Sequence, residues 1–275
     1  MVISLKDQVI AITRPLNQAN QLVDLIRKYN GIPYVAPTIE LRPCQNKKKI
    51  LKILNRIFNT QIDYLIFKSV NAVFFFLSCL HSLHQKENFL KKLNKANIIA
   101  IGPKTNAELK NNGIMASLIP NKYNSEGIFE TLKEKNLMGK IVVIPQPKKI
   151  RNSLAKKLRD FGAKVFTIPV YEITLPKDYF KVLTLIRDII NGKINIITFT
   201  SSSSAINLVR VARKNKLGIE LRKSLNKCMI AVIGPVTQKT LENLGVKSNI
   251  IPKDYTIEAM INSLIKFLNQ EREKD

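Results

Sequence analysis

The chain has 275 residues, of which 45% are hydrophobic and 24% are charged, a composition typical of a folded globular protein. Its longest apolar run, at 72–77, is far shorter than the ~20 residues of a membrane-spanning helix, so no membrane segment is expected. The first residues lack the pattern of a signal peptide, and the three cysteines have no metal-ligand spacing. Free thiols and a cytoplasmic location are therefore expected.

The formal net charge is +25, from 45 Lys and Arg residues against 20 Asp and Glu residues. The cations are scattered over nearly every predicted helix, and no aromatic-basic platform or zinc-finger pattern accompanies them. Drift of the whole composition toward lysine explains most of this charge, and an acidic ligand is compatible with it. Specific nucleic-acid binding rests on charge alone and is not expected, although adhesion to DNA at low salt is.

The sequence repeats itself with a constant step, equal to the separation of Pro15 from Pro147. Such a step over most of the chain indicates an internal duplication. The same step relates Arg27 and Arg159, Pro37 and Pro169, Glu40 and Glu172, Phe67 and Phe199, Ser69 and Ser201, Gly102-Pro103 and Gly234-Pro235, Thr105 and Thr237, Tyr123 and Tyr255.

Each copy alternates buried strands with amphipathic helices. Apolar runs predict strands at 9–13, 64–67, 98–101 and 117–120, and in the second copy at 141–144, 196–199, 229–233 and 249–252. Helical periodicity is found at 19–29, 154–161 and 206–211. Continuous apolar strands between such helices predict parallel sheets covered on both faces, an α/β fold.

Helix ends carry their own signals. Pro103 and Pro235 follow strands directly and fit the first position of a helix. Ser69 and Ser201 are predicted N-caps. Three glycines are predicted to end helices, namely Gly113, Gly162 and Gly245.

Two matching extended segments predict the domain organisation. Residues 37–43 and 169–175 each begin at a proline and are predicted to pair as antiparallel linker strands. If both cross between domains, one domain is discontinuous, with residues 1–36 plus 176–275, and the other has residues 44–168. Two crossings would also form a hinge over a cleft.

Hydroxyl- and amide-rich turns follow the predicted strands, where ligands bind in doubly wound sheets. Taken singly, each such turn is more often a helix cap than a ligand site. There is no dinucleotide or Walker-type phosphate loop and no catalytic triad, and the two histidines have no third metal ligand nearby. No cofactor or metal is expected, and the set of turns suits an anion. The candidate substrate-binding residues are Thr13, Arg14, Lys68, Ser69, Thr105, Ser125, Arg151, Ser201, Ser202 and Thr237.

The order and spacing of several segments resemble the uroporphyrinogen-III synthase family along essentially the whole chain. These segments include VIAITRPLNQANQLV, DYLIFKSVNAV, FTIPVYEI, ITFTSSSSAINL and IAVIGPVTQKTLENLG. The resemblance implies two flavodoxin-like domains joined by a two-stranded linker. It also implies a cofactor-free lyase that dehydrates and cyclises hydroxymethylbilane to uroporphyrinogen III with inversion of ring D, in haem and sirohaem biosynthesis.

The resemblance carries residue roles as well. Tyr171, in the Pro-Val-Tyr connector, matches the family tyrosine suspected of assisting departure of the substrate hydroxyl, although packing of a linker aromatic is the alternative. Ser69, Thr105, Ser201 and Thr237 match substrate-binding positions. Two departures are evident: Lys68 replaces a threonine, and Gln146-Pro147-Lys148-Lys149 replaces an Arg-Gly-type loop in which Arg151 retains a guanidinium.

The family further suggests a monomer and a transient hand-over of hydroxymethylbilane from hydroxymethylbilane synthase. Two other functions remain open from the residues alone. One is a non-catalytic two-domain protein that binds small acidic ligands, and the other is a basic nucleic-acid-binding protein. The first is disfavoured by the connector with Tyr171, and the second by the scattered charge.

Overall fold

A computed structural model describes residues 4–149 and 153–272. By its contacts the chain divides into unit 1, made of Met1–Glu40 and Thr174–Asp275, and unit 2, made of Leu41–Ile173. The predicted domain limits of 1–36 with 176–275 and 44–168 stay predictions. In this division the connector residues are shared between the units and do not stand apart from them.

The strands, in chain order, are β1 (Val9–Ile12), β2 (Ile32–Val35), β3 (Glu40–Pro43), β4 (Tyr64–Phe67), β5 (Asn97–Ala100), β6 (Ile141–Pro147), β7 (Lys164–Thr174), β8 (Ile196–Phe199) and β9 (Met229–Val232). The helices are α1 (Asn20–Lys28), α2 (Lys47–Phe58), α3 (Val70–Ser82), α4 (Lys86–Lys92), α5 (Pro103–Asn111), α6 (Ser125–Lys133), α7 (Ser153–Asp160), α8 (Phe180–Ile190), α9 (Ser202–Lys214), α10 (Gly218–Leu225), α11 (Pro235–Asn243) and α12 (Ile257–Arg272).

Each unit is built on one sheet. The unit 1 sheet has the order β2-β1-β8-β9, and all its neighbouring strands are parallel. The unit 2 sheet has the order β3-β7-β6-β4-β5, and the strands from β7 to β5 are parallel. The prediction of an α/β fold with two parallel sheets is confirmed. None of the helices in the described part combines the length and hydropathy of a transmembrane segment.

The duplication is visible in the element bounds. Strands β4 and β5 and helices α3 and α5 lie one repeat step before β8, β9, α9 and α11, with identical lengths. Each sheet nevertheless mixes the two repeats. The unit 1 sheet joins β1 and β2 of the first repeat to β8 and β9 of the second, whereas the unit 2 sheet joins β6 and β7 of the second to β4 and β5 of the first.

Strands at the centre of each sheet are buried on both faces. In β1, Ala11 packs into one apolar cluster, while Ile10 and Ile12 pack into the cluster on the opposite face. In β4, Phe67 and Ile66 divide in the same way between two clusters of unit 2. Because side chains alternate along a strand, burial of both faces requires a continuous apolar run, which is the pattern seen in the sequence.

A matched pair of polar side chains lies where strands of different repeats pair, β1 with β8 and β6 with β4, which we call the joint of each sheet. The Oδ1 atom of Asn195 accepts a hydrogen bond of 2.8 Å from the N–H of Val9, at the start of β1. The Oδ2 atom of Asp63 accepts one of 2.8 Å from the N–H of Ile141, at the start of β6. Asp63 and Asn195 are separated by the repeat step, so each repeat contributes the same contact to the first strand of the other.

Two of the predicted strands are wrong. Residues 117–120 and 249–252 form only isolated bridges, from Leu118 to Ile99 and from Ile250 to Ala231. Pro120 and Pro252 end each segment, and a proline has no N–H with which to continue a ladder.

The pattern of apolar residues missed β2 and the first part of β7. Both lie next to a central strand and are only partly buried along their length. Such strands lack the continuous apolar run that identifies the central strands. The predicted linker strand 169–175 is the later part of β7 and not a separate strand.

The connectors pair with each other in the structure. The N–H of Cys44 donates to the carbonyl of Val170 at 3.1 Å, and the hydroxyl of Thr174 donates to the carbonyl of Glu40 at 3.4 Å. Glu40 thus pairs with Thr174 and the later Cys44 with the earlier Val170, so β3 and the end of β7 run antiparallel, as predicted. The chain passes from one unit to the other at Glu40 and again at Ile173.

The joint between repeats predicts a matched loss of stability. Replacing Asn195→Ala or Asp63→Ala removes the acceptor of one strand N–H, so we expect each to lower the free energy of unfolding by about 1 kcal/mol in urea denaturation. Asp63→Ala also removes the partly exposed ion pair with Lys140, which adds little. Asn195→Asp and Asp63→Asn keep an acceptor oxygen and should stay within about 0.5 kcal/mol of the wild type. Alanine variants as stable as the wild type would contradict this assignment.

Candidate functional site

The turns after the central strands lie at the carboxyl edge of each sheet. We define the unit 1 rim as Thr13, Arg14, Ser201, Ser202 and Thr237, which follow β1, β8 and β9. We define the unit 2 rim as Lys68, Ser69, Thr105, Ser125 and Tyr171. In both sheets the order of strands reverses between the two central strands, which is where doubly wound folds bind ligands.

Thr13 lies beneath the unit 1 rim and not at its surface. Its side chain is fully buried, and its hydroxyl donates to the carbonyl of Thr198 at 2.9 Å. The Thr198 hydroxyl donates in turn to the carbonyl of Ala11, and that of Thr38 to the carbonyl of Ser204. The Thr13 hydroxyl therefore stabilises the base of the rim.

Arg14 follows Thr13 and is half-buried. Its Nη1 atom is buried and has no hydrogen-bond partner in the described part of the chain. Burial lowers the pKa of the guanidinium, and the nearby Glu258 carboxylate opposes this shift. A donor atom left without a partner is costly unless a ligand supplies one, so Arg14 suits an anionic ligand.

Ser201 and Ser202 begin α9. The hydroxyl of Ser201 caps the helix by accepting from the N–H of Ser203 at 3.2 Å. The hydroxyl of Ser202 donates to the carbonyl of Val236 and accepts from the hydroxyl of Thr240, which fastens the start of α9 to α11. The sequence predicted the cap, and the structure adds that both hydroxyls are used within the unit.

Lys68 and Ser69 occupy the equivalent turn of unit 2. The Ser69 hydroxyl accepts from the N–H of Ala72 at 3.1 Å and caps α3. Lys68 is half-buried, and burial lowers the pKa of its ammonium group. No carboxylate is paired with Lys68 among the residues that the structure describes. Lys68 is thus a cation available to an acidic ligand.

Tyr171 lies next to this turn on β7. Only 5% of its surface is exposed, and its ring stacks on that of Phe75 with centroids 5.0 Å apart. Burial raises the pKa of its phenol, and a hydrogen bond with Ser69 partly opposes the rise. The phenol therefore stays protonated at neutral pH and can act as a donor.

Thr105 and Thr237 form the most closely matched pair in the two rims. Each is the third residue of its helix, α5 or α11, and each is only 4% exposed. Neither hydroxyl has a hydrogen-bond partner in the described chain, and neither is sealed from solvent. The buried threonines Thr13, Thr38 and Thr198, by contrast, are all hydrogen-bonded.

The helix starts beside these threonines are also open. Gly102 and Gly234 are the N-cap positions of α5 and α11, neither helix has a side-chain cap, and each has proline at its first turn. Amide N–H groups near an uncapped helix start attract anions, because they carry the positive end of the helix dipole. The proline has no N–H, and in α11 the N–H of Thr237 already donates to the carbonyl of Gly234 at 3.1 Å. The threonine hydroxyl and the positive end of the helix dipole together suit a carboxylate.

The remaining predicted residues contribute less or lie elsewhere. Ser125 is the first residue of α6, whose cap is the neighbouring Asn124, bonded to the N–H of Gly127 at 2.8 Å. Arg151 lies outside the described residues. Sequence reasoning did not assign Phe75, and only the stacking of its ring on Tyr171 identifies it.

Other features of the surface do not compete with the rims. No group of three or more metal-ligating side chains is found in the part of the chain that the structure describes. A cavity of about 560 Å³ is lined by Gln8, Asn195 and Met229, which mark the amino ends of the unit 1 strands. It lies at the edge of the sheet opposite the rim.

Comparisons with known proteins identify the family of this chain. The family model described as uroporphyrinogen-III synthase HemD matches residues 20–262. This chain belongs to the uroporphyrinogen-III synthase family. Members of the family are cyclising lyases that act on hydroxymethylbilane in tetrapyrrole synthesis.

Relatives match the chain over nearly its full length. A relative from Methanothermobacter thermautotrophicus is named "Putative uroporphyrinogen-III synthase". It is 30% identical over 264 residues, which are 95% of this chain and 99% of the relative. The uroporphyrinogen-III synthase of Chlorobaculum parvum is 26% identical over 248 residues, or 90% of this chain and 93% of the relative.

Solved structures of the family share the fold. A mutant uroporphyrinogen III synthase from Thermus thermophilus matches with a TM-score of 0.68 at 18% identity, covering 96% of this chain and 99% of that one. The synthase from Helicobacter pylori matches with a TM-score of 0.56 at 20% identity, covering 94% and 99%. At these identities the two structures support the fold alone.

The unpartnered threonines predict a contrast in stability. Thr105→Val and Thr237→Val remove hydroxyls that bind nothing within the protein, so we expect unfolding free energies within about 0.5 kcal/mol of the wild type. Thr198→Val, the matched control, removes a buried donor and should lower stability by about 1–3 kcal/mol. Urea denaturation measures both, and a large loss in the first two variants would mean that those hydroxyls serve the fold.

Proposed function

We propose that this chain catalyses the cofactor-free dehydration and cyclisation of hydroxymethylbilane to uroporphyrinogen III, with inversion of ring D. The observation that carries the proposal is that this member of the family has a rim of similar construction in each of its two units. In each unit a buried threonine with an unpartnered hydroxyl lies at an uncapped helix start. Each such site suits a carboxylate group of a ligand.

The charges at the rims support the same class of ligand. Arg14 in unit 1 and Lys68 in unit 2 are half-buried cations, and burial lowers the pKa of both. A carboxylate bound beside either one would restore its favourable charge interaction. Hydroxymethylbilane carries eight carboxylates, so it can use amide, hydroxyl and cationic donors at the same time.

Tyr171 is proposed to assist the first chemical step. Its protonated phenol would donate to the terminal hydroxyl of the substrate as the carbon–oxygen bond breaks, and the hydroxyl would leave as water. The hydrogen bond with Ser69 and the stack on Phe75 orient this phenol. Its counterpart in the other repeat is Ile39, which has no hydroxyl.

Orientation is the main requirement of the later steps. The electrophile left by water loss would be attacked by the substituted carbon of ring D to give a spirocyclic intermediate, which reopens and closes with that ring inverted. The bilane also closes without an enzyme to the type I isomer. Holding the chain of pyrroles in one geometry therefore matters more than a strong base.

The biological setting that we propose is the cytoplasm, where the chain acts as a monomer. It would receive hydroxymethylbilane transiently from hydroxymethylbilane synthase. Free thiols at Cys44, Cys79 and Cys228 are compatible with a reducing compartment.

The product isomer tests the proposed function directly. Purified protein given hydroxymethylbilane should yield the type III isomer, resolved from type I by chromatography after oxidation to the porphyrins. The same incubation without protein is the control. If the protein yields only the type I isomer at the spontaneous rate, the chain is not a synthase, and a non-catalytic binder of acidic ligands becomes the better description.

Tyr171→Phe tests the proposed acid. It removes one hydroxyl and keeps the stack on Phe75, so turnover should fall by about ten- to a hundredfold with little change in stability. Because burial raises the phenol pKa, the wild type should show no loss of turnover attributable to Tyr171 below about pH 10.

Tyr34→Phe is the matched control for this variant. This variant also loses one hydroxyl, which in the wild type donates to the Asp188 carboxylate at 2.7 Å. Tyr34 lies on β2, outside both rims. Turnover of Tyr34→Phe should equal that of the wild type. If Tyr171→Phe does the same, Tyr171 has no part in the chemistry.

A further inference from the structure

Two exposed tyrosines occupy equivalent turns in the two units. Tyr123 is 61% exposed and Tyr255 is 62% exposed. In each case the N–H of the residue after the tyrosine donates to the carbonyl of the residue before it at 2.8 Å. This bond closes a three-residue turn centred on the tyrosine. The bonded pairs are Asn124 with Lys122 and Thr256 with Asp254.

The residue after each tyrosine also caps a helix. The side chain of Asn124 accepts from the N–H of Gly127, and that of Thr256 accepts from the N–H of Ala259. The backbone on both sides of each tyrosine is therefore held by hydrogen bonds. The fold sets the position of these rings even though most of their surface is open to solvent.

Each ring lies against the glycine that begins a rim helix. A Cβ atom added to Gly102 would be 3.2 Å from Cγ of Tyr123, and one added to Gly234 would be 3.2 Å from Cδ1 of Tyr255. Both glycines have extended backbone, with φ of −174° and 176°, which any residue adopts. The close approach of the ring, and not the backbone conformation, explains why glycine stands at these positions.

Each tyrosine therefore lies at the start of a helix that carries an unpartnered threonine. Gly102 and Gly234 begin the helices that carry Thr105 and Thr237. Each ring contacts the glycine, and most of the tyrosine surface is exposed. Neither tyrosine hydroxyl has a hydrogen-bond partner in the described chain. An exposed aromatic ring and a free phenol hydroxyl thus lie at each of the two helix starts.

We propose that Tyr123 and Tyr255 are substrate-positioning residues, whose rings pack on pyrrole rings of the substrate and whose hydroxyls donate to its carboxylates. The inference rests on the proposed function and deepens it. Aromatic faces pack favourably on one another, and a phenol adds a polar contact at the edge of the ring. Within each unit the tyrosine would hold a pyrrole, and the threonine at the helix start would hold a carboxylate.

Steady-state kinetics of single and double variants test the inference. Tyr123→Ala and Tyr255→Ala should each raise KM about three- to tenfold with a smaller change in kcat, and the double variant should raise KM further. Tyr123→Phe and Tyr255→Phe keep the ring and should lie between the alanine variants and the wild type. Thermal unfolding of each variant should match that of the wild type.

Phe180→Ala is the matched control. Phe180 is 66% exposed and lies at the start of α8, outside both rims, so its removal should leave KM unchanged. If KM is unchanged in both tyrosine-to-alanine variants as well, the inference is overturned.

A double-mutant cycle tests the contact between ring and glycine. Gly102→Ala should displace the ring of Tyr123 and raise KM, whereas in the Tyr123→Ala background the same change should have no effect. An equal effect in both backgrounds would show that the glycine serves the helix start, and would argue against a held ring.

Binding of uroporphyrin III, measured by calorimetry, separates this inference from the proposed function. This octacarboxylate needs no turnover, so it remains informative if the wild type makes no type III isomer. Weaker binding by both tyrosine-to-alanine variants supports the inference in either case. Binding equal to that of the wild type, or no binding by any of these proteins, overturns it.

Discussion

Pairing between strands of different repeats holds both sheets together. In unit 1 the joint is β1 beside β8, and in unit 2 it is β6 beside β4. Each of these strands is buried on both faces, and Asn195 or Asp63 completes the hydrogen bonding at the joint. A single repeat contains only the strands for one side of each joint, so neither sheet can form from one copy.

The joint also determines where the rims lie. Parallel strands end at the same edge of a sheet, and the strand order reverses at the joint, so the turns from both repeats meet there. Thr13 and Arg14 come from the first repeat and Ser201 from the second, yet they follow neighbouring strands. The duplication therefore yields two rims of like construction, each assembled from both copies.

The two rims have diverged in their chemistry. Tyr171 and Phe75 form a stacked pair in unit 2, whereas their counterparts in unit 1 are Ile39 and Asn207. Asn207 is buried and donates to the carbonyl of Thr38, which stabilises the base of the unit 1 rim. The threonines proposed to bind carboxylates are common to both rims, whereas the proposed acid is confined to unit 2.

The sequence by itself determined the duplication, the α/β class, the central strands and the helix caps at Ser69 and Ser201. These features depend on local patterns, namely apolar runs, turn residues and a constant repeat step. It also placed Thr105, Thr237 and Tyr171 among the candidate residues. Only the tertiary structure decided which hydroxyls are free and which are engaged, because a hydrogen-bond partner such as Thr198 for Thr13 is remote in the sequence.

The partly exposed strand β2 and the packing of Tyr123 on Gly102 were likewise decided by tertiary structure. A strand beside the central ones needs no continuous apolar run, because one edge or face is open to solvent. The contact between the tyrosine ring and a backbone remote in the sequence has no sequence pattern of its own beyond the presence of a glycine and a tyrosine. Neither residue reveals the contact until the strands bring the two turns together.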